Sequence, residues 1–253
     1  MNDAAEQNKR AWEHRAYEFW CKNNGTPQEK AAEILRDPAA RLRHHRAWLE
    51  QVQGLRIANP CGSNGRIAVP LALLGAEVTV FDLSEENRRY ALELAACAGV
   101  PLGYVLGDFC AAGEQWSNCF DLAYLEGGIL HYFHDLDRFY TTLHRILKPG
   151  GRLLLSDFHP LRKVLPVGNI GKSAAAVAGD YFDSGIHRGD VAYKSFFTPE
   201  EQASFPDCSL RFYTLADILN GLLGAGFRLL EFHEHPHWDD SRIPGEFTLL
   251  AAT

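Results

Sequence analysis

The sequence predicts an α/β fold with a doubly wound, mostly parallel sheet. From about residue 55 to residue 157, short apolar segments alternate with helical patterns, and the connections between them are short. Repeated strand, helix and strand units of this kind produce parallel strands with helices packed on the sheet. A glycine-containing turn, Cys61-Gly-Ser-Asn-Gly65, follows the first apolar segment and precedes a helical pattern. Such a turn lets the backbone approach a ligand closely, and the helix start presents unpaired N–H groups to it.

A helical cap is predicted over residues 1–53, with 54–253 as the α/β domain. One helix is expected from about Asp3 to Cys21, because aromatic and small residues recur there on one face. Two further helices are expected over 27–36 and 38–53. The aromatic rings of this segment either dock it onto the core or close over a ligand.

The remaining elements are predicted from periodicity and from their caps. Ser84 begins one helix as an N-cap, and Thr214-Leu-Ala-Asp217 forms a capping box that begins another. The predicted helices of the α/β domain are 65–74, 85–98, 135–147 and 215–223. The predicted strands are 55–60, 77–82, 102–106, 120–126, 152–157, 227–233 and 246–252.

The segment 160–208 interrupts this alternation. It is rich in glycine, alanine and polar residues and shows no helix or strand period. A structureless insertion of this length in a compact domain is typically a functional lid or a disordered segment. We expect a lid.

Composition limits the possible partners. The net charge of −7 argues against a nucleic-acid or membrane-surface partner, because a polyanion is bound by clustered lysine and arginine. The six cysteines form no C-x-x-C pair, so neither a zinc site nor a disulfide framework is indicated. No metal site is predicted, since His233, His235 and His237 have no assignable acidic or cysteine partner. The beginning of the chain has no apolar signal core, and we expect a cytoplasmic protein with a small-molecule substrate.

Polar residues follow each of the first three predicted strands. The turn 61–65 follows the first strand, Asp82 ends the second, and Asp108-Phe109 follows the third. Asp82 is placed to accept both hydrogen bonds from a ribose diol. A dinucleotide site is the alternative, but its fingerprint requires G-x-G-x-x-G at the turn.

This pattern, together with the run 120–157, resembles the S-adenosylmethionine (SAM) site of the class I, Rossmann-like methyltransferases. The resemblance implies that the turn faces the methionine part of SAM, that Asp82 holds the ribose and that Asp108 meets the adenine amino group. It also implies a seven-stranded sheet of order 3-2-1-4-5-7-6, closed by an antiparallel hairpin. The implied cofactor-binding residues are Asn59, Cys61, Gly62, Ser63, Gly65, Asp82, Leu83, Asp108, Phe109 and Glu126.

The turn departs from the family pattern in two ways. The family usually ends its first strand with an acidic residue, whereas this chain has Asn59. The family then continues G-x-G-x-G, whereas Cys61 and Ser63 occupy the first two glycine positions here. Asn59 can donate as well as accept hydrogen bonds, so the sequence leaves open how the amino group of SAM is held.

The predicted catalytic residues are Glu126, His131, Tyr132 and Tyr181. Glu126 and His131 follow the fourth strand, where they could orient or deprotonate a nucleophile, or else bind SAM or support the loop. Asp157 and His159 are secondary candidates beside Tyr132. Tyr181, in the predicted lid, could face the sulfonium or pack the lid.

The leading hypothesis is a SAM-dependent methyltransferase that acts on a small-molecule metabolite. A second hypothesis uses the same site without an acceptor: the amino group of SAM attacks its own γ-carbon, which closes azetidine-2-carboxylate and releases methylthioadenosine, as in methyltransferase-like azetidine-2-carboxylate synthases. A third is a SAM-binding regulator without catalysis.

Overall fold

The computed structural model describes residues 3–165 and 179–253. Its strands, in chain order, are β1 (Arg56–Pro60), β2 (Glu77–Asp82), β3 (Gly103–Leu106), β4 (Phe120–Glu126), β5 (Leu147–Phe158), β6 (Ile186–Gly189), β7 (Cys208–Arg211), β8 (Arg228–Pro236) and β9 (Pro244–Ala252). Its α-helices are α1 (Asp3–Glu13), α2 (Ala16–Asn24), α3 (Pro27–Ile34), α4 (Ala68–Leu73), α5 (Glu85–Ala98), α6 (Leu136–Ile146), α7 (Leu161–Val164), α8 (Pro199–Gln202) and α9 (Leu215–Gly224).

The main sheet has seven strands in the order β3-β2-β1-β4-β5-β9-β8. The strands from β3 to β5 are parallel, and β9 and β8 close the sheet as an antiparallel hairpin. Because β6 and β7 pair separately, this order is the predicted 3-2-1-4-5-7-6. The predicted α/β fold class is therefore confirmed.

The caps explain where the core helices begin. The Ser84 side chain accepts a hydrogen bond from the Asn87 N–H at the start of α5, and Asp135 accepts one from Arg138 at the start of α6. Thr214 and Asp217 form the reciprocal capping box of α9. These interactions satisfy N–H groups that have no partner within the helix.

The N-terminal prediction was wrong in two places. The expected helix over 3–21 is divided into α1 and α2, because Arg15 between them has a left-handed backbone with φ of 57°. The expected helix over 38–53 is a 3-10 segment, Pro38–Trp48, which is interrupted at Arg43. Its carbonyl and N–H groups therefore follow the tighter i to i+3 pattern.

Two predictions for the α/β domain also need correction. The first core helix begins at Ala68 and not at Gly65. The predicted lid, 160–208, is not structureless where it is described: it contains α7, β6 and α8, and β7 begins at its end. Residues 166–178 of that segment lie outside the described residues.

The N-terminal residues pack in two different places. α1, α2 and α3 share a hydrophobic cluster with α5 and with residues of the insertion, among them Tyr193, Phe197 and Phe205. The 3-10 segment contributes Leu42 to a separate cluster on the sheet face that carries Tyr124. Among residues 3–165 and 179–253, no helix combines the length and the apolar character needed to cross a membrane.

The side chain of Asn8 connects α1 to Ser209 on β7 through two hydrogen bonds. Its side-chain Nδ2 donates to the carbonyl of Ser209 at 3.0 Å, and its Oδ1 accepts from the N–H of the same residue at 2.7 Å. Asn8 is 1% exposed, so water does not replace these bonds if they are lost.

Replacing Asn8 by Ala should lower the free energy of unfolding by about 1–3 kcal/mol, because two buried backbone groups of Ser209 lose their partner. Urea denaturation measures this loss. The exposed Asn23 on α2 provides the control, since Asn23→Ala should change stability by less than about 0.5 kcal/mol. Equal effects of the two substitutions would contradict the fastening role of Asn8.

Candidate functional site

A deep cleft lies at the carboxyl edge of the sheet, where β1, β2 and β4 end. α1 and α2 cover it from the other side through Asn8, Trp12 and Trp20. Ligands of open α/β sheets bind at this edge, outside the carboxyl ends of the strands. Of the predicted site residues, the cleft walls contain Asn59, Cys61, Gly62, Ser63, Asp82, Leu83, Asp108, Phe109, Glu126 and Tyr132.

The turn after β1 is held very close to the end of that strand. The Asn59 Nδ2 donates to the carbonyl of Tyr124 on β4 at 2.8 Å, which leaves the Asn59 Oδ1 buried without a hydrogen-bond partner. A Cβ on Gly62 would lie 2.2 Å from this oxygen. Gly62 is therefore required for close approach, and its own φ is not positive.

The left-handed residues of the turn are Cys61 and Ser63, with φ of 53° and 50°, and Gly65, with φ of 76°. The two non-glycine residues thus adopt the backbone conformation of the glycines that the family pattern places there. This conformation costs about 1–2 kcal/mol for each of them. Such strain persists only where the surroundings enforce it, and it concentrates at functional sites.

Asp82 supplies that enforcement. Its Oδ2 accepts a hydrogen bond from the N–H of Ser63 at 3.0 Å, and its Oδ1 accepts from the N–H of Ser84 at 3.0 Å and from Asn87 at 3.3 Å. Burial raises the pKa of Asp82, while these donors oppose the rise. One carboxylate therefore joins the turn after β1 to the start of α5 and also faces the cleft.

Two apolar side chains lie next to Asp82 in the cleft wall. Leu83 follows β2, and Phe109 begins the 3-10 turn Phe109–Ala111 after β3. Asp108 caps this turn, since its Oδ1 accepts the N–H of Cys110 at 3.0 Å. The turn thereby holds Phe109 and Asp108 at one end of the cleft.

Glu126 ends β4 inside a buried polar network. Its Oε1 accepts from Arg41 of the 3-10 segment at 2.8 Å, and its Oε2 accepts from the Tyr124 hydroxyl at 2.7 Å. His45 Nδ1 lies 3.5 Å from the same Oε2. Burial alone would raise the pKa of Glu126, but His45, Arg41 and Tyr124 together lower it to about 2. Glu126 is therefore a fixed carboxylate and a weak base.

Three predicted site residues do not line this cleft. Gly65 packs against Ala91 of α5. His131 lines a second cavity, although its ring centroid lies only 4.2 Å from that of Tyr132, which lines the cleft. Loss of hydration lowers the pKa of His131 to about 4. The Tyr181 hydroxyl accepts from the N–H of Leu215 at 3.0 Å at the start of α9.

The secondary candidates Asp157 and His159 lie at the second cavity as well. The Asp157 Oδ2 accepts from the N–H groups of Ile129 and Leu130, at 2.9 and 2.8 Å. Burial raises the pKa of Asp157 to about 6 despite these donors. Asp157 therefore supports the loop after β4. Among the described residues, no group of histidine, cysteine, aspartate and glutamate side chains has the arrangement of a metal site.

Sequence reasoning missed Arg66 as a cleft residue and Arg41 as the partner of Glu126. Arg66 follows the turn directly and lines the cleft, and burial lowers its pKa. Its place next to Gly65 was the available signal. Arg41 reaches Glu126 over a separation of 85 residues, which no local pattern indicates.

The chain matches one protein family. The family model described as a methyltransferase domain matches residues 60–155. The chain is 27% identical over 178 residues to a ubiquinone biosynthesis O-methyltransferase of Caulobacter vibrioides. The aligned region covers 70% of this chain and 64% of that protein. It is 30% identical over 174 residues to the protein of that name from a Methylobacterium species, covering 67% and 65%. The chain thus spans less than two thirds of the length of these relatives.

Solved structures show the same fold. A SAM-dependent methyltransferase from Mesorhizobium loti superposes with a TM-score of 0.63 at 23% identity, covering 83% of this chain and 97% of that one. Magnesium protoporphyrin IX methyltransferase from Synechocystis PCC 6803, solved with bound SAH, superposes with a TM-score of 0.59 at 16% identity and covers 99% of both chains. At these identities, the likeness supports the fold.

The ionised Glu126 should make stability depend on pH. Its pKa falls from an ordinary value of 4.5 to about 2 on folding, so its contribution is fully present above about pH 4.5 and is lost as pH falls towards 2. The unmodified protein should therefore be more stable than the Glu126→Gln variant at neutral pH. This difference in the free energy of unfolding should fall by roughly 3 kcal/mol across the whole window.

Urea denaturation from about pH 6 to about pH 3 covers the upper part of this window, where the difference should already fall by about 2 kcal/mol. The exposed Glu50 provides the control, since Glu50→Gln should give a difference that stays nearly constant. A constant difference for Glu126→Gln as well would show that the network does not hold the ionised form.

Proposed function

Because the chain belongs to the class I SAM-dependent methyltransferase superfamily, we propose that it is an enzyme that transfers the methyl group of SAM to a small molecule. One observation carries the proposal: Asp82 joins the turn after β1 to the start of α5, beside the wall formed by Leu83 and Phe109, within a cleft at the carboxyl edge of the sheet. This is the edge where open α/β sheets bind nucleotides. The family match over 60–155 includes these residues.

The nucleoside of SAM is proposed to lie between β2 and β3. A carboxylate offers about four lone-pair sites, and three of those of Asp82 already accept hydrogen bonds, so Oδ2 retains acceptor capacity for one ribose hydroxyl. The adenine would stack between Leu83 and Phe109, with its amino group near Asp108. The turn 61–65 would face the methionine part.

The amino acid end of SAM requires a partner that Asn59 does not supply, because a neutral amide lacks the charge of the usual acid. We place the ammonium group near Glu126, whose carboxylate lies in the cleft at the end of the neighbouring strand β4. The SAM carboxylate would meet Arg66, a cation in the same cleft. Glu126 thus takes over the role of the missing acid.

Methyl transfer from a sulfonium is an in-line displacement with a neutral leaving group. The enzyme therefore mainly aligns the nucleophile, and a base is required only when the nucleophile carries a proton. The low pKa values of Glu126 and His131 make both weak bases, which favours orientation over deprotonation. The relatives are named O-methyltransferases, and we propose an oxygen nucleophile.

One observation favours a second candidate, the SAM cyclase. If the ammonium group lies at Asn59 and not at Glu126, the neutral amide stabilises it less than a carboxylate does, so the amine of SAM loses its proton more readily there. The free amine would attack the γ-carbon, the C–S bond would break, and methylthioadenosine would leave as a neutral thioether. The released ammonium proton would pass to solvent.

Product analysis distinguishes the candidates. The protein is incubated with SAM alone and with SAM plus a panel of phenolic acceptors, and products are identified by mass spectrometry. Methyl transfer predicts S-adenosylhomocysteine that forms only with an acceptor. Methylthioadenosine and azetidine-2-carboxylate from SAM alone would replace the methyltransferase proposal by the cyclase, and SAM binding without any product would leave a regulator.

Replacing Asp82 by Ala should weaken SAM binding about ten- to hundredfold, because a hydrogen bond from the ribose to a charged group is lost. Calorimetry measures this change. Asp121 provides a matched control at the opposite edge of the sheet, where it accepts the N–H of Arg56 at 2.9 Å. Asp121→Ala should lower stability and leave SAM affinity within about twofold. Equal losses of affinity in the two variants would remove Asp82 from the site.

A further inference from the structure

A second cavity lies on the other side of the loop that follows β4. Its volume is about 260 Å³, close to the lower end of the usual range for small-molecule sites. Gly128 and the ring of Phe158 form the wall between the two cavities. Gly128 has no side chain, and the ring of Phe158 occupies the space where a Cβ would lie. An ideal Cβ on Gly128 would lie 2.4 Å from this ring. His131 and Phe158 face the second cavity, and Gly128 faces the first.

Two cations of α7 line the second cavity without hydrogen-bond partners. The Nη1 of Arg162 and the Nζ of Lys163 are buried and unpaired. The Arg162 guanidinium lies 3.8 Å from the centroid of the Phe158 ring, and the Lys163 Nζ lies 3.7 Å from that of Phe212. The carboxylate of Asp183 is 3.9 Å from Lys163, beyond hydrogen-bond length. Buried cationic donors of this kind call for an anionic partner.

Three acids near this cavity already have partners. Asp157 accepts the N–H groups of Ile129 and Leu130, and the exposed Glu234 lies 3.0 Å from the ring of His159. Asp183 is bound at 2.9 Å by His187. Glu246 and Asp239 also attract Arg162 electrostatically, but neither makes a hydrogen bond to its Nη1, so an incoming anion would meet unpaired donors from Arg162 and Lys163.

The other walls of the cavity are flat rings. The ring of His131 is nearly parallel to that of Phe158, at an interplanar angle of 9°, and lies 29° from that of Phe212. Such walls favour a planar ring by stacking. Tyr213 adds a further aromatic surface.

We propose that the second cavity binds an aromatic ring that carries a carboxylate. The carboxylate pairs with Arg162 and Lys163, and the ring lies along Phe158, Phe212 and His131. This site is distinct from the cleft in which SAM is proposed to bind, so binding of the acid can be tested without turnover.

Calorimetry with para-hydroxybenzoate as the probe tests the assignment, with para-hydroxybenzamide as its neutral analogue. The acid should bind about ten- to hundredfold more tightly than the amide. Arg162→Gln and Lys163→Gln should each remove most of this preference and leave SAM affinity within about twofold. Arg188→Gln, at an arginine whose side chain is 84% exposed, provides the control and should leave the preference intact. Arg162→Lys, which retains the charge, should retain part of it.

The outcomes separate the two claims. No binding of the acid at about 10 mM, or a preference for the acid that survives both Gln substitutions, would overturn the assignment while SAM binding remains measurable. Acid binding that depends on Arg162 and Lys163 in a protein that does not bind SAM would support an anion site and refute the proposed function.

Discussion

The arrangement of the site depends on the buried carboxylate of Asp82. Two of its three donors, the N–H of Ser84 and the Asn87 side chain, belong to the start of α5, and the third is the N–H of Ser63. Because Cys61 and Ser63 have left-handed backbones without being glycines, the turn stores strain that this carboxylate and the contact between Gly62 and Asn59 must offset. The close packing of Gly62 on Asn59 keeps the backbone of the turn near the end of β1, which leaves the cleft open for a ligand.

The same edge of the sheet supports two cavities with opposite character. The first is bordered by the carboxylates of Asp82, Asp108 and Glu126, which suits hydroxyl, amino and ammonium donors. The second presents unpaired cationic nitrogens from α7 between aromatic rings. The loop after β4 separates the two cavities. Asp157 holds this loop by accepting hydrogen bonds from the N–H groups of Ile129 and Leu130.

The sequence was sufficient where local chemistry decides the structure. The bounds of β2 and the Ser84 cap of α5 were predicted correctly, because strand alternation and capping act over a few residues. The break at Arg15 was missed because its side chain pairs with Glu201, which is 186 residues away. The position of His131 was missed for another reason. Within the 3-10 turn, the adjacent residues His131 and Tyr132 line different cavities, and no periodicity distinguishes that turn from an open loop.

A crystal structure of the protein with S-adenosylhomocysteine tests the central claim most directly. We expect adenine between Leu83 and Phe109, a ribose hydroxyl on Oδ2 of Asp82, and the amino group near Glu126. Arg162 and Lys163 should remain free of this ligand in the second cavity. Binding of the nucleoside in the second cavity, or binding in the cleft with the ribose beyond hydrogen-bond reach of Asp82, would contradict the account.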